Sequence, residues 1–235
     1  MNMSPNEKSG EPGIFLMRRN GWFQRAAMGV PKKPTTGDRG PVRDALLDVI
    51  DAAGGLEFSR GEFLRVIGIA QEEYSSSLPG VDRSVPHYPA APHLWGGATV
   101  PAVYYAFFEA VTWTRTVRDR FKEPLKLQLA VQPHDHELWK SLQRIRSELV
   151  GQVFEDASSL ARVSLHWYPP PYAGSGAKVV NGKLIYPVVD TIDDKQEFRN
   201  NLKFNKGRHA EMLVEEYWKA VCIFIDRVLD EFYSE

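Results

Sequence analysis

Hydrophobic residues recur at helical spacing in three long stretches of the second half of the chain. The clearest stretch covers residues 208–233, where apolar residues occupy one face and charged residues the other, as in an amphipathic helix. Two more helices are predicted over 101–122, with aromatic residues on one face, and over 135–150, with leucine and isoleucine at steps of four and three. Together these segments predict a mainly α protein whose helices pack as an antiparallel bundle.

Between the second and third of these helices the pattern becomes that of β-strands. Apolar and polar residues alternate over 162–168, which predicts a strand that carries His166. Further along, Asn181-Gly182 separates two short apolar runs. Asn-Gly indicates a two-residue hairpin, because a type I′ turn needs positive φ at both central positions. The expected fold class is therefore mainly α, an antiparallel helical bundle with a small β-hairpin insert near residues 160–190.

The first forty residues of the chain begin and end with polar stretches that are rich in Gly and Pro. Residues 1–40 therefore predict a flexible arm and linker. Within them, residues 14–30 combine apolar and aromatic side chains with arginines. We interpret this segment as one that packs on the body of the protein, or alternatively as a basic-aromatic arm that contacts a partner.

Residues 41–84 predict a small helical unit that precedes the bundle of residues 100–235. In this unit, Gly54-Gly55 is expected to end one helix and Ser59 to begin the next. The helix lengths also suit a helix-turn-helix, so a DNA-binding regulator is one alternative. The unit carries four arginines against eight carboxylates, however, and a DNA-binding surface should be positive.

Charge and composition narrow the classes of function. The chain has 29 basic and 30 acidic side chains, so a binding site for nucleic acid must come from a local patch. Its one cysteine, Cys222, cannot form an internal disulfide and lies in an apolar stretch, so we expect it to be buried. The sequence shows neither a membrane-spanning run nor the pattern of a signal peptide, and the cytoplasm is the expected location. It also lacks the glycine-rich motifs that hold nucleotides, and we expect no cofactor.

One arginine of the 135–150 helix is the first candidate for chemistry. Arg146 falls at the edge of the apolar face, where an arginine is half-buried and requires a partner. The partner is either a carboxylate or helix end of the same protein, or a phosphate.

The order of elements from about residue 100 to 233 resembles the HEPN superfamily of helical-bundle ribonucleases and RNA-binding proteins. In that family a helix with aromatic residues precedes a helix that carries an arginine, and a variable insert and a final amphipathic helix follow. Active members carry Arg-x4-6-His, and two such motifs meet across a dimer and cleave RNA without metal. Arg146 matches the arginine, and the next histidine downstream is His166. The three histidine positions are occupied by Gly151, Gln152 and Val153. The resemblance implies an RNA-binding protein or a degenerate ribonuclease that pairs with a second copy, with Arg146 and His166 as the catalytic candidates.

Basic residues at the end of the 101–122 helix form the second candidate site. Arg115 and Arg118, with Arg144 of the next helix, are candidates for a nucleic-acid-binding patch that contacts RNA phosphates. The alternative is that these cations complement the helix dipole. His134-Asp135-His136-Glu137 offers four residues of metal-ligand type. Neighbouring side chains on a helix point in different directions, so we interpret this run as a helix N-terminus and predict no metal site.

Three functions remain open from the sequence. The first is a HEPN-like protein that binds RNA or once cleaved it, and the second is a non-enzymatic module that binds a protein partner through its arm and bundle surface. The third is the helix-turn-helix regulator. The sequence does not decide whether the protein is an enzyme.

Overall fold

A computed structural model describes residues 12–30, 40–77, 99–130, 136–166, 177–189 and 204–233. The protein is mainly α, as the periodicity predicts. The helices are α1 (Pro12–Met28), α2 (Gly40–Ser77), α3 (Thr99–Ala130), α4 (His136–His166) and α5 (Ala210–Phe232). The strands are β1 (Lys178–Val180), β2 (Lys183–Ile185), β3 (Pro187–Val189) and β4 (Phe204–His209).

Helices α2 to α5 form an antiparallel bundle. Along the α2–α3 contact, Arg120 lies 4.0 Å from Asp48, and the rings of Phe63 and Phe107 are 6.3 Å apart, so residue numbers rise on one helix as they fall on the other. The predicted bundle is confirmed. Its α2 member, however, is a long helix that packs along α3, where the sequence indicated a unit of short helices.

Helix α5 lies at the centre of the bundle and contacts each of the other four helices. The ring of Phe224 meets Phe121 of α3 at 4.8 Å and Phe154 of α4 at 5.7 Å, both edge to face. Each such aromatic pair contributes about 0.5–1.5 kcal/mol beyond the burial of its area. The periodicity of residues 208–233 therefore identified the helix on which the core is built.

Two adjacent glycines in α2 do not end the helix, and the prediction that they would is wrong. A Cβ on Gly55 would lie 2.4 Å from the indole of Trp113 in α3, and a Cβ on Gly54 would lie 3.1 Å from Nε of Arg19 in α1. The glycines therefore allow two neighbouring helices to approach α2 closely. Ser59, expected to begin a new helix, is a fully buried residue inside α2.

The hairpin of β1 and β2 forms where the sequence predicts it. Asn181 and Gly182 have φ values of 51° and 75°, as the turn requires. Gln71 of α2 holds the outer edge of the hairpin, because its side-chain amide donates to the carbonyl of Gly182 at 3.0 Å and its carbonyl accepts from the Leu184 N–H at 2.8 Å. The second antiparallel pair, β3 with β4, leads into α5.

The strand predicted over 162–168 is wrong for residues 162–166, because α4 continues as a helix to His166; residues 167–168 lie outside the described residues. The apolar face of α4 extends through Ala157, Leu160 and Ala161. This spacing of three and four residues continues the helical period, which outweighs the short alternation that follows it.

The N-terminal segment packs on the body of the protein, which was the first of its two interpretations. Residues 12–28 form α1, and Trp22 and Ala26 are buried in the core. The flexible arm predicted for residues 1–40 is therefore a helix over this range, whereas residues 1–11 and 31–39 lie outside the described residues.

Candidate functional site

Arg146 lies on the face of α4 that turns toward the bundle. Leu142, Val150 and Val153, which surround it on that face, are all buried. The sequence placed Arg146 at the edge of the apolar face because only the first half of α4 was recognised. With the second half included, the centre of the buried face shifts toward Arg146.

The side chain of Arg146 is half-buried, and its Nε is fully buried without a hydrogen-bond partner. Among the described residues no carboxylate lies within ion-pair distance of its guanidinium. A buried donor without an acceptor costs about 1–3 kcal/mol. Arg146 therefore carries a donor that the described residues leave unsatisfied, and a guanidinium is a group suited to a phosphate or carboxylate.

His166 cannot join Arg146 within one chain. Both residues belong to α4, at positions twenty residues apart, and a helix rises 1.5 Å per residue, so about 30 Å separate their backbones. The idea that a strand carries His166 back over the helix is wrong, because the residue is the last of α4 itself. Only a second copy of the chain could bring a His166 to this Arg146.

The basic residues of α3 are matched by carboxylates. Arg115 lies 3.4 Å from Asp119, and Arg118 lies 2.8 Å from Asp119 and 4.0 Å from Glu155 of α4. These pairs neutralise much of the positive charge that the sequence assigns to the patch. Arg118 thus connects α3 to α4 through Glu155, whereas Arg115 pairs within α3.

Arg144 is exposed and takes part in no ion pair with the residues that the structure describes. Two residues along a helix correspond to a rotation of about 200°, so Arg144 points away from Arg146. Trp113, which precedes the paired arginines on α3, packs on Gly55 of α2. The structure therefore does not gather the predicted residues into one surface.

A buried polar cluster between α2 and α5 escaped the sequence analysis. Arg60, 9% exposed, donates through Nε to Glu215 at 2.7 Å and through its terminal nitrogen to Glu57 at 3.4 Å. Beside it the hydroxyl of Ser59 is buried without a hydrogen-bond partner. One signal was present in the sequence, since Glu57 and Arg60 lie on the apolar side of α2, but Glu215 is 155 residues away.

Two buried tyrosines lie near the N-terminal end of α5. The hydroxyl of Tyr217 donates to the carboxylate of Asp156, which connects α5 to α4 inside the core. Tyr186 precedes β3, and its hydroxyl has no hydrogen-bond partner within the described part of the chain. Burial raises the pKa of Tyr186 above its ordinary value, and the charge of Glu73 raises it further.

Neither a metal-binding cluster nor a membrane-spanning helix occurs among the described residues. In the described ranges no group of three or more His, Cys, Asp or Glu residues is placed to hold a metal ion. Of the His-Asp-His-Glu run, His134 and Asp135 lie outside those ranges, and Glu137 forms an ion pair with Lys140 at 2.9 Å. None of the described helices is long and apolar enough to cross a membrane.

The helix-turn-helix interpretation has lost its structural basis. That interpretation divides residues 59–77 into one helix over 59–68 and a second over 69–77, and α2 is continuous through both segments.

Comparison with protein-family models, with curated proteins and with solved structures finds no significant match to this chain.

Proposed function

We propose that the protein is a HEPN-like helical bundle that binds RNA, with Arg146 as a phosphate-contacting residue. One observation carries the proposal. Among the described arginines that are buried or half-buried, Arg146 alone has no carboxylate partner. An arginine in this position requires an acceptor, and the two oxygens of a phosphodiester match its planar fork of donors.

The geometry supports binding more than cleavage. Cleavage without metal needs a group that transfers a proton beside the arginine. The three positions that hold histidine in active family members are occupied by Gly151, Gln152 and Val153. His166 of the same chain is about 30 Å away along α4.

The first experiment measures gel retardation and cleavage of labelled single-stranded RNA in EDTA. Wild type, Arg146→Ala and the matched control Arg144→Ala are compared, since Arg144 is exposed on the opposite side of the same helix. We expect wild type and Arg144→Ala to bind, Arg146→Ala to bind at least about tenfold more weakly, and none of the three to cleave. Binding that is equal in all three proteins, or absent from wild type, contradicts the proposal.

A gain of function tests the family relationship itself. A Cβ on Gly151 would lie 3.8 Å from the carbonyl oxygen of Arg146, an ordinary contact, so a histidine backbone fits there. We expect Gly151→His, which restores Arg-x4-His, to cleave RNA in EDTA. Gly151→Gln serves as the control for side-chain size and should remain inactive.

A non-enzymatic module for protein binding is the second candidate, and the charge pairing on α3 favours it. Because Asp119 and Glu155 lie beside Arg115 and Arg118, these two arginines attract a polyanion less than unpaired arginines would. If wild type fails to retard RNA, this candidate becomes the leading one.

A further inference from the structure

Helix α1 presents a basic-aromatic pattern that its docking groove matches turn by turn. Three donors at steps of three residues each meet a carboxylate. Arg19 pairs with Asp51 of α2 at 2.5 Å, the indole N–H of Trp22 with Asp226 of α5 at 2.7 Å, and Arg25 with Asp230 of α5 at 2.8 Å.

The floor of this groove is also complementary in shape. The indole of Trp22 lies against that of Trp218, with ring centroids 6.3 Å apart. Gly54 leaves room for the side chain of Arg19. Near the end of α5, the hydroxyl of Tyr233 donates to the carbonyl of Ala26 at 3.0 Å. The groove between α2 and α5 therefore recognises a helix with a cation, a tryptophan and a cation on one face.

The attachment of α1 depends on few buried groups. Trp22 and Ala26 are its buried residues within the range whose side chains are described. The two ion pairs that flank Trp22 are one third to one half exposed, with side-chain exposures of 36% and 50% for Arg19 and Asp51 and of 33% and 45% for Arg25 and Asp230. Water screens such pairs, and they add little stability. The core of α2–α5 has its own aromatic contacts, so a local opening that releases α1 leaves those contacts in place.

We propose that the groove lined by Asp51, Trp218, Asp226 and Asp230 accepts α1 from a second copy of the chain, so that two copies exchange their first helices. A second copy supplies the same three donors at the same spacing, and exchange preserves every contact of the docked helix. This proposal does not depend on RNA binding.

The connection between the helices is long enough for exchange. Eleven residues lie between the end of α1 at Met28 and the start of α2 at Gly40. Eleven residues extend to at most about 36–40 Å, which exceeds the length of α1, about 26 Å for its 17 residues. The first helix can therefore reach a groove on an adjacent molecule.

Charge reversal in the full chain tests the exchange. One variant carries Arg19→Asp and Arg25→Asp, and the other carries Asp51→Arg and Asp230→Arg. In each variant alone, like charges face each other in the groove. In a mixture, each α1 finds opposite charges only in the groove of the other variant. The control carries all four changes in one chain, where the charges again match.

Light scattering after size-exclusion chromatography gives the readout. We expect each variant alone to be monomeric, the mixture to form a one-to-one dimer, and wild type and the four-change control to form dimers whose fraction rises with concentration. High salt should weaken the mixed dimer. Wild type that stays monomeric at every concentration overturns the proposal, because each α1 then stays in its own groove. A mixture that stays monomeric also overturns it, and so does a dimer that each variant forms alone, because the contact would then lie elsewhere.

Discussion

Replacing Glu215 with alanine should destabilise the fold, because the buried guanidinium of Arg60 then loses one of its two carboxylate partners. The side chain of Arg60 is 10% exposed, and its Nε lies 2.7 Å from Glu215, whereas Glu57 is reached at 3.4 Å. Breaking a buried pair costs about 3–5 kcal/mol because the remaining charge keeps its desolvation penalty. Glu57 stays as a weaker partner and the side chain of Glu215 is 30% exposed. We therefore expect a loss of about 2–3 kcal/mol.

Urea denaturation followed by circular dichroism measures this loss. The midpoint should fall while the slope stays constant, because the surface exposed on unfolding does not change. The corresponding drop in Tm is roughly 4–12 °C for a chain of this size. Glu62→Ala is the matched control, since it removes the exposed pair with Arg65 on the same helix and should leave the midpoint nearly unchanged.

A triple variant separates the cost of an unpaired charge from the cost of lost packing. Because Glu57 is the second partner of Arg60, the variant combines Arg60→Met and Glu215→Leu with Glu57→Gln, which removes all three charges and nearly keeps the volume, so it should recover most of the stability lost by Glu215→Ala. If Glu215→Ala unfolds at the same urea concentration as Glu62→Ala, then Arg60 does not depend on Glu215 and the reasoning is refuted.

Three further predictions concern glycines and a buried phenol. Gly55→Ala should lower the unfolding free energy by about 1–3 kcal/mol through its clash with Trp113, whereas Gly68→Ala, with nothing near the new Cβ, should raise it by about 0.5–1 kcal/mol in the same urea assay. Gly182→Ala should cost about 1–2 kcal/mol in thermal unfolding because of its positive φ of 75°. The pKa of Tyr186 is raised in the folded state. The stability that its protonated phenol contributes is therefore complete below about pH 10 and is lost at higher pH, where the unfolded chain ionises first. Tyr186→Phe, which cannot ionise, should move the alkaline unfolding midpoint to higher pH.

The features predicted correctly are those with a local cause. The hairpin turn follows from Asn181 and Gly182 themselves, because their side chains tolerate the φ values that the turn needs. The amphipathic pattern of residues 208–233 correctly predicted α5. The reason for Gly55 lies elsewhere, since the indole that needs its missing Cβ is 58 residues further along the chain at Trp113. A glycine that ends a helix and one that admits a neighbour look the same in sequence.

The candidate site also combines features with a local cause and features that depend on residues far away in the chain. Periodicity was sufficient to place Arg146 on or beside the apolar face of its helix. Whether it has a partner depends on what the other helices place next to it, which periodicity does not encode. The Arg60–Glu215 pair stayed hidden for the same reason, because its two residues come from distant parts of the chain. A charge in an apolar pattern indicates a buried partner without naming it.

The central position of α5 has a consequence for biosynthesis. The helix that contacts the four others also follows all of them in the chain, so α1 to α4 leave the ribosome before α5, on which each of them packs in part, is available. Until then the apolar faces of these helices remain open to water and to other nascent chains. Folding should therefore be completed only after α5 has left the ribosome, and a ribosome that stalls before α5 would leave a product for chaperones and proteases to bind.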